Sequence, residues 1–263
     1  MNQLVEAPPQ LILCVISLLG SSLGSFGATF AIRFYLNQDL LEPRSSCDSC
    51  NYAIRWYANI PILSFIFLRG RCSHCNAQIS RFQFASEIFT TLLFIAVYLL
   101  DLPWTSQFLL FLIAFVTAPL AFIDLRMKRL PNFITLPITI ISIVIFVFHW
   151  IFITNSWFIP IITAFAIFLF YISLHLLTRR NFGRGDVKLS LPLAIALVTI
   201  DVKIAISSNI IAFYLAGFYA LYKYCKGARR TYIAFGPFML FGFWAATLLP
   251  IAFSENIVNL WIP

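Results

Sequence analysis

Asp124 and Asp186 are the residues best placed to do chemistry. Each stands where a long apolar run meets a short basic one, in Phe122-Ile-Asp-Leu-Arg-Met-Lys-Arg129 and in Gly183-Arg-Gly-Asp-Val-Lys188. An ionisable group at a membrane boundary is costly, and such a cost points to function. Two carboxylates that meet can activate water: one accepts a proton from it while the other, protonated, donates to a scissile carbonyl oxygen. Like charges in contact cannot both ionise easily, so such a pair shares one proton. The plainer reading is that each Asp caps a helix or pairs with a nearby Arg or Lys. Matching position at the ends of apolar runs, and the Gly-x-Gly-Asp context, raise the functional reading beside it. Gly183 and Gly185 would let a substrate backbone approach Asp186, and Leu130-Pro131-Asn132 would turn the chain and start the next helix. Arg126, Lys128, Arg129 and Lys188 read as topology signals and lipid anchors. Asp39, Asp48, Asp101 and Asp201 read as solvated loop residues.

A second set of residues has metal-ligand spacing. Cys47-Asp-Ser-Cys50 and Cys72-Ser-His-Cys75 form a CxxC pair of knuckles with 21 residues between them. Each knuckle can aim two thiolates at one ion, and four soft ligands in a tetrahedron suit Zn²⁺ in a structural role. Disulfides are disfavoured on a reducing face, and a redox motif would not need a duplicate. His74 then lies outside a completed ligand shell. His149 and His175 are isolated on apolar helices, and Cys14 and Cys225 read as small apolar residues.

The elements that must position these groups are helices in lipid. The 263 residues are 61% hydrophobic and 11% charged, with a mean hydropathy of +0.90. This composition predicts an all-α polytopic membrane protein and excludes a soluble domain. Continuous apolar runs near 11–32, 82–100, 107–123, 133–153, 158–177, 189–200, 204–222 and 234–252 predict about eight transmembrane helices. They lack the alternation of a transmembrane barrel. The first run has no basic region before it and reads as a retained helix. The sixth run is short and contains Pro192, so it is tilted, broken or shielded by neighbours.

The net charge of +8 is mostly topology. Segments 33–81, 124–132, 179–188 and 223–230 carry 17 of the 18 Lys and Arg residues, and Lys203 stands alone in the alternate connections. The positive-inside rule makes the rich side cytoplasmic. Both termini then lie outside, both Asp residues lie at the cytoplasmic edge, and anionic lipid rather than nucleic acid is the partner of the charge. The expected organisation is a first helix over 1–32, a small cytoplasmic zinc-binding loop domain over 33–81 and a helical bundle over 82–263. Within the loop, Ile60 to Leu68 is apolar but too short to span, so it packs under the loop or lies in the interface. Gly20-Ser-Ser-Leu-Gly-Ser-Phe-Gly27 suits close helix packing better than phosphate binding, since no strand precedes it.

Together these motifs resemble those of the bacterial type IV prepilin peptidases, the leader peptidase and N-methyltransferase family of GxGD aspartic proteases. The resemblance rests on Gly24-Ser-Phe26 with Arg33, Arg44-Ser-Ser-Cys47 with its partner knuckle, and Ile54-Arg-Trp-Tyr-Ala-Asn-Ile-Pro61. It continues through Leu68-Arg-Gly-Arg-Cys72, Ile123-Asp-Leu125 with Leu130-Pro131, Gly183 to Lys188, and Phe235-Gly-Pro-Phe238. It implies an inner-membrane endopeptidase that removes the basic leader of prepilins and pseudopilins after a Gly, on the cytoplasmic side. It also implies methylation of the new N-terminus with S-adenosylmethionine. By motif position the catalytic pair is Asp124 and Asp186, and Cys47, Cys50, Cys72 and Cys75 are the zinc ligands. The family usually has Asn where this chain has Ala28, and Pro in the first knuckle where it has Asp48-Ser49. Both departures fall in the amino-terminal part that the resemblance links to methylation. A reading of a different class is a cation-coupled transporter carrying a zinc module, which places the acids at interrupted helices near mid-membrane.

Overall fold

A computed structural model describes residues 8–40, 47, 49–50, 52–154, 158–178, 182–227 and 233–257, and among these described residues nine α-helices order the chain. They are α1 (Pro9–Tyr35), α2 (Leu63–Phe67), α3 (Arg81–Leu99), α4 (Trp104–Met127), α5 (Asn132–Phe152), α6 (Phe158–Leu177), α7 (Arg184–Val198), α8 (Val202–Cys225) and α9 (Gly236–Ile257). Among the described residues, α1, α3, α4, α5, α6 and α8 are long and apolar enough to cross a membrane. Each of the eight expected runs is a helix. The apolar described part of α9, Gly236–Leu249, is shorter than those six, and α7 has only 15 residues.

Proline does much of the punctuation. Pro9 stands at the first turn of α1, where its missing N–H costs nothing. Pro103 and Pro131 precede α4 and α5 in extended conformation. Lys128, in left-handed conformation at φ 53°, ends α4. Asp201 caps α8 by accepting from the Lys203 amide, so it has a structural task beyond solvation. Asp48 lies outside the described residues.

Contacts divide the chain into two compact units: Met1–Leu99 with Ala114–Pro119, and Leu100–Ile113 with Leu120–Pro263. In the first unit, α1 packs on α3 through its small residues. A Cβ on Gly20 would stand 2.9 Å from the Thr91 Cα, and one on Gly24 would stand 2.9 Å from both the Glu87 Cα and the Ser86 carbonyl oxygen. Such close approach is what glycine spacing permits between helices. The short apolar stretch after Ile60 becomes the single turn α2. Its Phe65 stacks on Phe84 of α3, with ring centroids 4.2 Å apart, while Phe67 is 80% exposed.

In the second unit, α7 is enclosed by its neighbours. Ten of its 15 residues are buried, and Pro192 sits inside a continuous helix. Shielding, not breakage, resolves its shortness. At roughly 1.5 Å per residue it is too short to cross a hydrocarbon core of about 30 Å. Large apolar side chains of α5, α6 and α8 are exposed instead, among them Phe148, Phe165 and Tyr214, as lipid-facing helices require.

Candidate functional site

Asp124 lies in the last turn of α4 and Asp186 in the first turn of α7, and both are buried. A third helix end brings them together. Gly236 opens α9, and its backbone N–H donates to Asp124 Oδ2 at 3.0 Å, while its Cα lies close to both carboxylates. A Cβ placed on Gly236 would stand 2.7 Å from Asp124 Oδ2 and 3.6 Å from Asp186 Oδ1. The two oxygens can be no farther apart than those two distances laid end to end. The carboxylates interact electrostatically. The start of α9 also presents the positive end of a helix dipole to them.

The glycines of Gly183-Arg-Gly-Asp186 have tasks in the site beyond the expected one. A Cβ on Gly183 would stand 2.6 Å from Asp186 Oδ2, and one on Gly185 would stand 2.8 Å from the Leu130 Cβ. Gly183 therefore gives room to the carboxylate itself. Gly185 lets α7 close against the turn that follows Asp124. Gly183 is also exposed, so the buried pair is flanked by an accessible backbone. Lys188 donates to Asn132 Oδ1 at 2.7 Å, tying α7 to the start of α5.

Two further residues complete the surroundings. Tyr171 of α6 is fully buried, donates its hydroxyl to Asn209 Oδ1 at 2.8 Å and interacts electrostatically with Asp186. Its ring belongs to an aromatic cluster with Phe182, Phe213 and Phe235. His175 bonds through Nδ1 to the Phe182 carbonyl at 2.6 Å, which steadies the approach to Gly183. Sequence reasoning named Gly236 only within the Phe235-Gly-Pro-Phe238 motif, without a role, and did not single out Tyr171. A Gly-Pro opening an apolar run was the available signal for the first.

The four cysteines meet in the first unit. The Sγ atoms of Cys47, Cys50, Cys72 and Cys75 all lie within 4.8 Å of one another, and Cys47 and Cys75 are 3.8 Å apart. A tetrahedron with Zn–S bonds of about 2.3 Å has S···S edges of about 3.8 Å. The donor set and its spacing therefore fit a metal ion. The second knuckle is a tight hairpin in which the Cys72 amide donates to the Ala77 carbonyl at 2.8 Å and Arg71 bridges Gln78. Backbone N–H groups of Cys75 and His74 bond the Cys72 sulfur and lower its thiol to about 6, which favours the thiolate that a metal needs. His74 stacks on Tyr52 at 4.6 Å between centroids and is not one of the four ligands. His149 is buried against Thr105, 2.6 Å from its hydroxyl.

Comparison with known proteins gives these features a family. A model of the bacterial peptidase A24 N-terminal domain matches residues 18–100, which include all four cysteines. A model of the type IV leader peptidase family matches residues 109–221, which include both acids. A prepilin leader peptidase/N-methyltransferase of Neisseria gonorrhoeae is 30% identical over 241 residues, covering 85% of this chain and 77% of the relative. The protein of that name in Bacillus subtilis strain 168 is 28% identical over 261 residues, 95% of this chain and 98% of its own length. That of Vibrio cholerae is 31% identical over 140 residues, 50% of this chain and 55% of the relative. The chain spans about half the length, or less, of several curated relatives it matches. No solved structure matches it at a significant level. The class is thus a helical membrane protein with a cysteine cluster and a pair of facing acids. The chain belongs to the type IV leader peptidase family. Nothing in the relatives' names favours the cation transporter, and the acids stand at helix ends rather than at breaks within spans.

Proposed function

We propose that this chain is a prepilin leader peptidase with N-methyltransferase activity, in the bacterial inner membrane. The observation that carries the peptidase reading is the meeting of Asp124 and Asp186 at the Gly236 amide. One carboxylate takes a proton from water, whose oxygen adds to the scissile carbonyl carbon. The other carboxyl donates to the carbonyl oxygen, and the carbon–nitrogen bond then breaks as the leaving amine gains a proton. The Gly236 N–H, donated to Asp124, holds that carboxylate beside Asp186 without adding a charge.

The substrate reading follows from depth and charge. A prepilin has a basic leader followed by an apolar helix, so its scissile bond lies at the membrane edge where these acids stand. The count of basic residues supports a cytoplasmic position for the acids and the cysteine loop, with both termini periplasmic. The cysteine loop over 33–81 holds Zn²⁺ through Cys47, Cys50, Cys72 and Cys75, and the metal supplies the stability that so short a segment cannot obtain from a core. S-adenosylmethionine, when bound, supplies a methyl group at an electrophilic carbon for the new N-terminus.

Purified full-length protein mixed with a prepilin and labelled S-adenosylmethionine tests both activities together. Leader loss and label on the mature pilin are expected. Wild-type cleavage by Asp124→Asn or Asp186→Asn would remove the acid pair from the mechanism.

A further inference from the structure

The acids stand at one end of the second unit, and a different polar site lies at the other. Asp124 is in the last turn of α4, whereas Thr105 is in its first, about 28 Å away at roughly 1.5 Å per residue. Near Thr105, the segment entering α4, the ends of α5 and α7 and the starts of α6 and α8 enclose a half-open cavity of about 400 Å³. Sites for small molecules span roughly 300–1,000 Å³. His149, Trp150, Pro160, Val198, Thr199 and Asp201 are among the residues lining it. Because α7 ends at Val198, after 15 residues, it stops short of the far surface and leaves this space beyond it.

His149 is its most unusual member. The side chain is 6% exposed, and its Nδ1 lies 2.6 Å from the Thr105 hydroxyl. Thr105 is fully buried, and its O–H has this nitrogen as its acceptor. The hydroxyl therefore donates to Nδ1, and the ring proton sits on Nε2. Nε2 has no hydrogen-bond partner among the described residues, and it is not sealed inside the protein. It opens on the cavity as an unmet N–H donor, which is costly to leave so. The wall behind it is firmly built. Ser106, also fully buried, donates to the Thr199 carbonyl at 3.1 Å and ties α4 to the end of α7.

Asp201 stands at the mouth. Its side chain is exposed and accepts from the Lys203 amide, but it forms no ion pair among the described residues. A carboxylate at the rim of a bilayer calls for a cation. Trp104, 59% exposed, opens α4 beside Thr105, and such aromatic residues mark headgroup depth. The cavity thus offers apolar walls, an N–H donor within and a carboxylate at its rim. A ligand that fits joins an acceptor oxygen to an ammonium on an apolar body. Anionic lipid suits the site less, because Asp201 repels it and Lys203 is the one basic residue in the connections on this side. A quaternary ammonium cannot donate a hydrogen bond to the carboxylate, whereas a primary one can.

Resting on the membrane-edge position proposed for the acids, we infer that this cavity binds the headgroup of phosphatidylethanolamine from the opposite leaflet, with its phosphate on His149 Nε2–H and its ammonium on Asp201. The acyl chains lie along the exposed apolar ends of α5 and α6, at Phe152 and Ile159. The lipid fills the space that the short α7 leaves.

The test is native mass spectrometry of delipidated full-length protein in detergent, titrated with phosphatidylethanolamine, phosphatidylcholine or phosphatidylglycerol. The wild type should bind phosphatidylethanolamine about threefold or more tighter than either of the others. Asp201→Asn keeps the helix cap but removes the charge. It should weaken phosphatidylethanolamine about fivefold and erase the preference over phosphatidylcholine. His149→Leu should weaken all three lipids, since each carries a phosphate. Hydrogen exchange of the wild type needs no variant, and added phosphatidylethanolamine should protect residues 149–154 and 199–203. Equal affinity for the three lipids overturns the inference, as does a preference for phosphatidylglycerol. Unchanged phosphatidylethanolamine binding in both variants, or protection elsewhere, overturns the site. Asp186→Asn should bind the lipid as the wild type does, so failure of the peptidase reading and failure of this site are told apart.

Discussion

The acid pair and the cysteine loop are built in opposite ways. Asp124, Asp186 and Gly236 come from three helix ends spread over more than a hundred residues, and they meet because glycines allow backbones to touch. The four cysteines come from two short knuckles within one connection, and their own spacing brings the sulfurs to within 4.8 Å. The first arrangement depends on helix packing over the whole second unit. The second depends on local turns and a metal. A fault in packing should therefore cripple one site and spare the other, and the reverse should hold for loss of metal.

That contrast can be broken most severely at the acids. Asp186→Asn should lower single-turnover leader cleavage by about a thousandfold or more, while methyl transfer to a pre-cleaved pilin persists. Equal loss of both activities would mean that the two regions share one site. Gly236→Ala comes next, since its methyl would enter the space between the two carboxylates. A displacement of this size commonly costs about a hundredfold in rate, and cleavage should fall by that order with little change in zinc content. Cys47→Ser tests the other side of the comparison. It should reduce bound zinc below one ion per chain by elemental analysis and cut methyl transfer about tenfold or more, with a smaller effect on cleavage. A protein that retains full zinc would show that Cys47 is not a ligand. The smallest effect belongs to Tyr171→Phe. Losing the hydroxyl that donates to Asn209 should destabilise the second unit by about 1 kcal/mol, read as a lowered melting temperature in detergent, with cysteine-loop properties unchanged.

Different physical signals explain why some of this was legible in the chain and some was not. The helices were legible because lipid demands long apolar runs, and each run became a helix. The cysteines stood out because their spacing is short-range, and Asp124 and Asp186 because a carboxylate at the end of an apolar run is rare. The role of Gly236 was not legible because its contribution is a backbone N–H, which leaves no mark of residue type. Further tasks of Gly183 and Gly185 were hidden for a related reason: an absent side chain does not say which neighbour fills the space.

The burial of α7 has a consequence for how the protein is made. A segment carrying Arg184, Asp186 and Lys188 in its first turns, and too short to match the bilayer, gives an insertion machine little reason to release it into lipid. Its company is protein: α5, α6, α8 and α9 all belong to the same unit. Half of the acid pair is thus held by protein neighbours rather than by lipid, above all by α6 and α5. The place of Asp186 therefore depends on the helices around it, whereas Asp124 rides on a helix long enough to span by itself.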